Sequence, residues 1–416
     1  MVSLRARNEE HPVSKTHIKL IAFITAVSLL GDSMLYVVLP IFPELFGLNS
    51  LWEVGVLLAV NRFVRIPIHP FVKMFYQYFT IRQGLFIGLI LSIITTLSYG
   101  ILETFLWLLI SRIVWGIAWS FLKQGGQLSV VYAVGASNQQ LASGQLTGIY
   151  NGISRTGSLA GMLLGGIGAS LFGPETLFFV FACLATVLIP FLVRDMRNQQ
   201  DIASEKPDNQ KAPVDQKTIR NRTFLFLLTM GLLLSMIYQG VLTSTLGYWI
   251  VFQEDLTTIF LGGLGAAAWT GILQGFRWGL EPVIAPWIGR KADKIGSKLI
   301  LLIPTLVVAS GLFLILPAFI PTVAWLFAVI ILLVTATIVS TLLDAFVTDY
   351  TVHFKKNAII SHYLTASDLG AALGPALGFL LIEMAGEYSV VIGGAVILMF
   401  TAVLASWEHW HTLKNK

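Results

Sequence analysis

Two stretches, YNGISRTGSLAGMLLG at 150–165 and YLTASDLGAALGPALG at 363–378, decide the architecture of this 416-residue chain, because they are one segment written twice. At an offset of 213 residues, Tyr150, Ser154, Gly157, Gly161 and Gly165 fall on Tyr363, Ser367, Gly370, Gly374 and Gly378. Five identities in one register, with glycine recurring every fourth position, mark an internal repeat of helices. A weaker copy relates Ser33, Met34 and Tyr36 to Ser235, Met236 and Tyr238. Both stretches lie inside apolar runs, so the chain is expected to be two copies of one helical bundle.

Working outward from that pair, twelve apolar runs can be marked at 17–46, 52–72, 83–102, 105–132, 142–172, 176–193, 223–252, 257–288, 299–318, 321–347, 358–384 and 388–409. Most approach the roughly twenty residues that cross about 30 Å of hydrocarbon. Composition agrees: 56% of residues are hydrophobic and only 12% charged, where a soluble protein has about a quarter charged. The fold expected is therefore an all-α membrane protein of twelve transmembrane helices in two pseudo-symmetric six-helix bundles. The formal charge of +5 implies no nucleic-acid partner, because the basic residues sit in loops that face membrane lipid.

Lys and Arg avoid every second connection. The first carries Glu53, the third Glu103, the fifth Glu175, the seventh Glu254 and Asp255, and the eleventh Glu387, none with a basic residue. The N-terminal stretch holds Arg5, Arg7, Lys15 and Lys19, and the even connections hold Lys73 and Arg82, then Arg194 to Arg222, Arg290 to Lys298, and Lys355 with Lys356. By the positive-inside rule the even connections and both termini are cytoplasmic. The expected parts are a cytoplasmic N-terminus (1–16), an N-terminal bundle (17–193), a polar cytoplasmic linker (194–222), a C-terminal bundle (223–409) and a cytoplasmic C-terminus (410–416). A bacterial cytoplasmic membrane is the expected location. The basic start leads into a run too long for a cleavable signal. The lone Cys183 excludes an internal disulfide.

Three motifs resemble the major facilitator superfamily. Gly289, Asp293, Lys294, Gly296 and Lys298, after the eighth run, resemble that family's cytoplasmic loop motif, which implies a gate latch. Arg112, followed by Gly116 and Ser120, resembles the motif of proton-coupled members, which implies a part in proton coupling. Gly148, Gly157, Gly161, Gly165 and Gly166 resemble the glycine spacing of the twelve-helix drug:proton antiporter branch. Two positions depart from the family pattern: Gln77 stands where an acid is expected, and Met162 where the antiporter motif has proline. A plainer account of the glycines is that they let helices approach closely. The resemblance implies a proton-coupled exporter that acts as a functional monomer and needs no cofactor beyond the proton gradient.

Ionisable groups at membrane depth are expensive and so are functional candidates. The first half carries Arg62, Arg65, Arg112, Lys123 and Arg155 against Asp32, whereas the second carries Glu281, Asp344 and Asp368 against Arg277. Arg155 is replaced by Asp368 at the repeat offset. Two walls of opposite sign are therefore expected. They either form salt bridges that hold one conformation shut or grip a substrate bearing carboxylate and ammonium groups, Arg being suited to carboxylates. Asp32, in the first run with Arg112 expected nearby, is the leading proton carrier, and Glu281, one turn from Arg277, is the second. Tyr36, Tyr150, Tyr238 and Tyr363, with Trp115, Trp119, Trp269 and Trp278, either line the cavity or serve as core and interfacial belt.

No Walker sequence or metal-ligand cluster occurs. The preferred function is export of a small amphoteric or anionic organic molecule, such as a metallophore, siderophore-like compound or drug. A proton-coupled lipid or glycolipid flippase is the alternative among transporters. A membrane sensor or an intramembrane enzyme is the alternative outside them, and no catalytic constellation is legible for the latter.

Overall fold

The computed structural model describes residues 15–136, 142–198, 222–253, 265–295, 297–354 and 358–414. Among the described residues there is no strand, and the helices form twelve spans. They are α1 (Lys15–Val38), α2 (Leu51–Tyr78), α3 (Ile81–Tyr99), α4 (Phe105–Ala136), α5 (Ala142–Phe172) and α6 (Pro174–Val187, continued by Ile189–Asn198). The second half has α7 (Arg222–Ser235, a π-helical turn Met236–Leu242, then Thr243–Phe252), α8 (Ala266–Ile295), α9 (Lys298–Phe313), α10 (Thr322–Phe354), α11 (Ala358–Ala385) and α12 (Glu387–Lys414). Eight spans are long and apolar enough to cross a bilayer by composition alone. The other four are α2, α5, α8 and α9. Of these α2 and α8 carry charges in mid-helix, α5 is rich in glycine, and α9 is short at 16 residues.

Helix ends follow local chemistry. The first run does not stay helical to 46: α1 stops at Val38, ahead of Pro40 and Pro43, and a short 3-10 turn Pro43–Phe46 ends at Gly47 with φ 64°. Proline lacks the N–H that the helix needs and restricts the residue before it. Glu53 then accepts the backbone N–H groups of Asn49 (2.8 Å) and Ser50 (3.2 Å), satisfying donors at the start of α2. At the start of α3, Gln83 N–H donates to Thr80 Oγ1 (3.3 Å) and Thr80 N–H to Gln83 Oε1 (3.0 Å), a reciprocal cap. The stretch 199–221 of the expected linker, Glu254 and Asp255 of the seventh connection, and Lys355 with Lys356 lie outside the described residues.

The repeat seen in the sequence is a repeat of packing. A Cβ at Gly157 would lie 2.0 Å from Ala26 O and one at Gly161 2.5 Å from Leu30 O, so α5 runs against the backbone of α1. In the second half, a Cβ at Gly370 would lie 2.0 Å from Leu232 O and one at Gly374 2.4 Å from Met236 O, placing α11 on α7 in the same way. The copy extends to the turns that follow, where Gly173 (φ 82°) and Gly386 (φ 80°) take the left-handed conformation 213 residues apart. Large apolar side chains such as Leu106, Phe172, Phe319 and Met384 remain exposed on the outside, as expected for surfaces that face lipid. The protein is integral to a membrane.

Candidate functional site

α1 and α4 place two opposite charges against each other in the N-terminal bundle. Asp32 is 7% exposed and Arg112 is fully buried, and Arg112 Nη1 forms an ion pair with Asp32 Oδ1. Such a buried pair is costly to the extent that its remaining hydrogen-bonding groups go unmet. Here Arg112 Nε donates to the backbone carbonyl of Leu57 on α2 (2.8 Å) and Nη1 reaches the Tyr99 hydroxyl on α3 at 3.4 Å, whereas Nη2 is buried without a hydrogen-bond partner. The guanidinium carbon lies 5.7 Å from the centre of the Tyr36 ring and 5.9 Å from that of Tyr99, within cation–π range. Tyr36 in turn donates to Leu58 O (3.1 Å), and Asn61 Nδ2 donates to Asp32 Oδ1 (3.4 Å). Three groups of α2 are thus drawn to the Asp32–Arg112 pair, the carbonyl of Leu57 and the amide of Asn61 directly and the carbonyl of Leu58 through Tyr36.

One residue further along α2 the basic wall begins. Arg62 and Arg65 stand one turn apart, and the Nε atom of each is buried without a hydrogen-bond partner. Arg65 lies over the Trp119 ring at 5.4 Å, and Lys123 lies 5.5 Å from the Tyr150 ring centre with Nζ 3.4 Å from Asn151 Oδ1. Among the described residues, the ion pairs include none made by Arg62, Arg65 or Lys123. Asp368 on α11 stands opposite, near enough that its charge acts on all three cations. Asp344 on α10 is exposed and accepts a hydrogen bond from the Tyr363 hydroxyl (2.9 Å).

Arg155 joins the two halves, but not through the residue that replaces it at the repeat offset. It forms an ion pair with Glu281 of α8, not with Asp368. The repeat offset relates equivalent positions in the two bundles and carries no information about which positions meet across the interface. Nor does Arg277 form an ion pair with Glu281, one turn along α8. Its Nη1 donates to Tyr238 O (3.1 Å) and Thr243 Oγ1 (2.9 Å), capping the π-helical turn of α7. Such a turn disturbs the helical bond ladder and leaves carbonyls for other donors; Gln274 Nε2 takes that of Thr243 at 2.9 Å.

Two of the four tyrosines expected at the cavity are helix packing. Tyr150 is 1% exposed and lies 3.5 Å from Leu122 O, while Tyr238 is 3% exposed and lies 3.5 Å from Thr335 Oγ1. Tyr36 holds the Leu58 carbonyl and Tyr363 holds Asp344. In the loop motif Lys298 forms an ion pair with Asp349, joining α9 to α10. Gly289 and Lys294 lie in the last turns of α8, whereas Gly296 and the side chain of Asp293 fall outside the described residues. Of the glycines compared above with the antiporter spacing, Gly148 lies in α5, and Gly157, Gly161 and Gly165 face α1. Gly166 serves a different contact, since a Cβ there would be 2.4 Å from Ala267 O of α8.

That contact shows which side is shut. Gly271 of α8 answers Gly166, with a Cβ there 2.3 Å from Met162 O, and Ala268 N–H donates to Ser170 Oγ (3.1 Å). On the opposite flank Gly55 of α2 meets Pro375 O of α11 at 2.6 Å from its would-be Cβ, and Trp52 N–H donates to Glu383 Oε2 (2.8 Å). All five contacts lie toward the odd-numbered connections. The halves are in close contact there, and the charged residues of the two walls lie further along their helices toward the even-numbered connections.

The chain matches the family model described as Major Facilitator Superfamily over residues 21–280 and 281–414. No curated protein matches it in sequence. Among solved structures it is similar to the nucleoside transporter NupG, at 14% identity and a TM-score of 0.67 over 94% of this chain and 97% of that one. It is similar to a bacterial homologue of the human lysosomal transporter Spinster, in an inward-facing and occupied conformation, at 15% identity and TM-score 0.69 over 97% and 98%. A bacterial homologue of the iron transporter ferroportin, in an inward-facing state, gives 14% identity and TM-score 0.69 over 94% and 98%.

Proposed function

The chain belongs to the major facilitator superfamily, and from that premise we propose that it is a proton-coupled carrier exporting a small amphoteric or anionic organic molecule from the cytoplasm. The observation that carries this is the pair of walls: Arg62, Arg65 and Lys123, without ion-pair partners among the described residues, face Asp368 across the two halves, while Asp344 on the same acidic side lies nearer Arg155 and Glu281. Unpaired guanidinium groups at membrane depth are costly, and a substrate carboxylate that accepts two parallel N–H bonds removes that cost. The opposite wall supplies acceptors for an ammonium group. Asp32 is the proton carrier, since neutralising it frees Arg112 and with it the carbonyl of Leu57 on the same helix as the basic wall.

The antiporter direction is supported by the glycine spacing of α5, and placement in a bacterial cytoplasmic membrane with cytoplasmic termini by the distribution of Lys and Arg. The carrier works as a monomer with the proton gradient as its only energy source. A thermal-shift screen of amphoteric, anionic and cationic compounds on purified protein tests the substrate class, because a ligand that binds the folded state raises Tm by mass action. Amphoteric and anionic compounds are expected to raise Tm in the wild type, with the response to carboxylates lost in Arg62→Ala and Arg65→Ala. Stabilisation by cations alone, undiminished in those variants, contradicts the assignment.

A further inference from the structure

Asn61 is wholly buried at the meeting of α1, α2 and α4, and the proposed proton cycle so far gives it no part. Its Nδ2 donates to Asp32 Oδ1 at 3.4 Å, while its Oδ1 is buried with no hydrogen-bond partner. An unmet acceptor in a buried site is a standing cost. Ionised Asp32 has only acceptors to offer, so it takes the amide N–H and leaves the amide oxygen empty. Protonated Asp32 has one donor, the carboxylic O–H, which needs an acceptor. The Asn61 oxygen is that acceptor if the amide turns over.

We infer that Asn61 is a positioning residue whose amide inverts with the charge of Asp32, donating Nδ2–H to the carboxylate and accepting the carboxylic O–H on Oδ1. The step moves one proton from water onto a carboxylate oxygen of Asp32 and neutralises the partner of Arg112. It requires no backbone movement. The carbonyl of Asn61 is pressed against Gly116 of α4, where a Cβ would lie at 2.7 Å, so α2 is fixed at this residue while the side chain rotates. Because Arg62 follows directly in the chain, Asn61 joins the two, hydrogen-bonded to Asp32 on one side and covalently attached to the basic wall on the other.

The charged and titratable groups around Asp32 come from several helices. They are Arg112 on α4, Tyr99 on α3, Arg62 and Arg65 on α2, and Tyr36 one turn along α1. On the remaining flank α5 presents Gly157 and Gly161 to α1. Among these the Asn61 amide is neutral and carries both a donor and an acceptor, so it can satisfy either form of the carboxyl.

The inference rests on Asp32 being the proton carrier, and infrared difference spectroscopy on the purified full-length protein in liposomes, stepped from neutral to acidic pH, separates the two. In the wild type, acidification should produce the carbonyl stretch of a buried protonated carboxyl that is missing in Asp32→Asn. In Asn61→Leu, similar in volume and without polar atoms, that band should move to higher frequency, the position of a carboxylic acid whose O–H is unbonded. Asn61→Ala, which relieves any clash of the branched side chain, should show the same displacement. A band at the wild-type frequency in whichever of these variants retains a cooperative melt overturns the role of Asn61 while leaving Asp32 as carrier. Absence of an Asp32-dependent band in the wild type overturns the carrier reading and this inference together.

Discussion

Arg112 is tolerable in the interior only while it holds Asp32 and Leu57 O, so the two charges are read best as one unit. Removing one partner of a buried pair typically costs about 3–5 kcal/mol, and Arg112→Ala should accordingly lower Tm sharply in a melting experiment. Asp32→Asn keeps the shape of the carboxyl and one acceptor oxygen for Arg112 Nη1 but removes the counter-charge, and should fold with a lowered Tm while losing gradient-driven transport. Arg155 and Glu281 are a different case, with side chains 60% and 26% exposed. A pair so accessible contributes about 0.2–1 kcal/mol, weak enough for a substrate charge to displace. Arg155→Ala should therefore leave Tm nearly unchanged and reduce transport of carboxylate-bearing substrates selectively. If transport of all substrates falls alike and Arg155→Glu with Glu281→Arg restores it, the pair is a gate and nothing more. Asp32, Arg112 and the wall residues were legible in the sequence because a charge inside an apolar run stands out. Asn61 and Tyr99 were not, since a neutral polar side chain in such a run is only weakly conspicuous, although Asn61 directly before Arg62 was a usable signal.

At the scale of helices, glycine positions carry most of the architecture. The 213-residue repeat was readable because close packing of α5 on α1 and of α11 on α7 tolerates no side chain at Gly157, Gly161, Gly370 and Gly374. What spacing did not reveal is that Gly166 faces α8 and not α1, because adjacent positions on a helix point in different directions. The π-helical turn of α7 was also illegible, since a single widened turn leaves no mark in an apolar sequence. The Gly166–Gly271 contact predicts a conformational effect. A methyl at Gly271 would meet the backbone oxygen of Met162 at 2.3 Å, and overpacking of this kind costs about 1–3 kcal/mol. That penalty falls on the closed arrangement of α5 and α8 specifically. Spin labels at Thr176 and Phe319, one in each half near the closed side, should report a longer distance population in Gly271→Ala than in the wild type. An unchanged distance distribution means that the contact does not hold the halves shut.

For the whole molecule, the hydropathy pattern fixed the number of spans and the repeat fixed their grouping into halves, but neither showed which side was closed. That depends on which helix faces meet across the halves, a tertiary property. Sidedness has its own test in a Cys183→Ala background. A cysteine at Tyr388 should react with an impermeant maleimide added to intact cells, and one at Lys414, at the far end of the same helix, only after permeabilisation. The reverse pattern inverts the topology. The central claim, that a proton on Asp32 drives transport, is tested most directly by uptake into inverted membrane vesicles of an amphoteric compound selected by the thermal-shift screen. Wild-type vesicles with an acidic lumen should accumulate it and lose that accumulation when a protonophore collapses the gradient, while Asp32→Asn vesicles exchange the compound without accumulating it. Accumulation that survives the protonophore, or that Asp32→Asn supports at the wild-type level, contradicts the account.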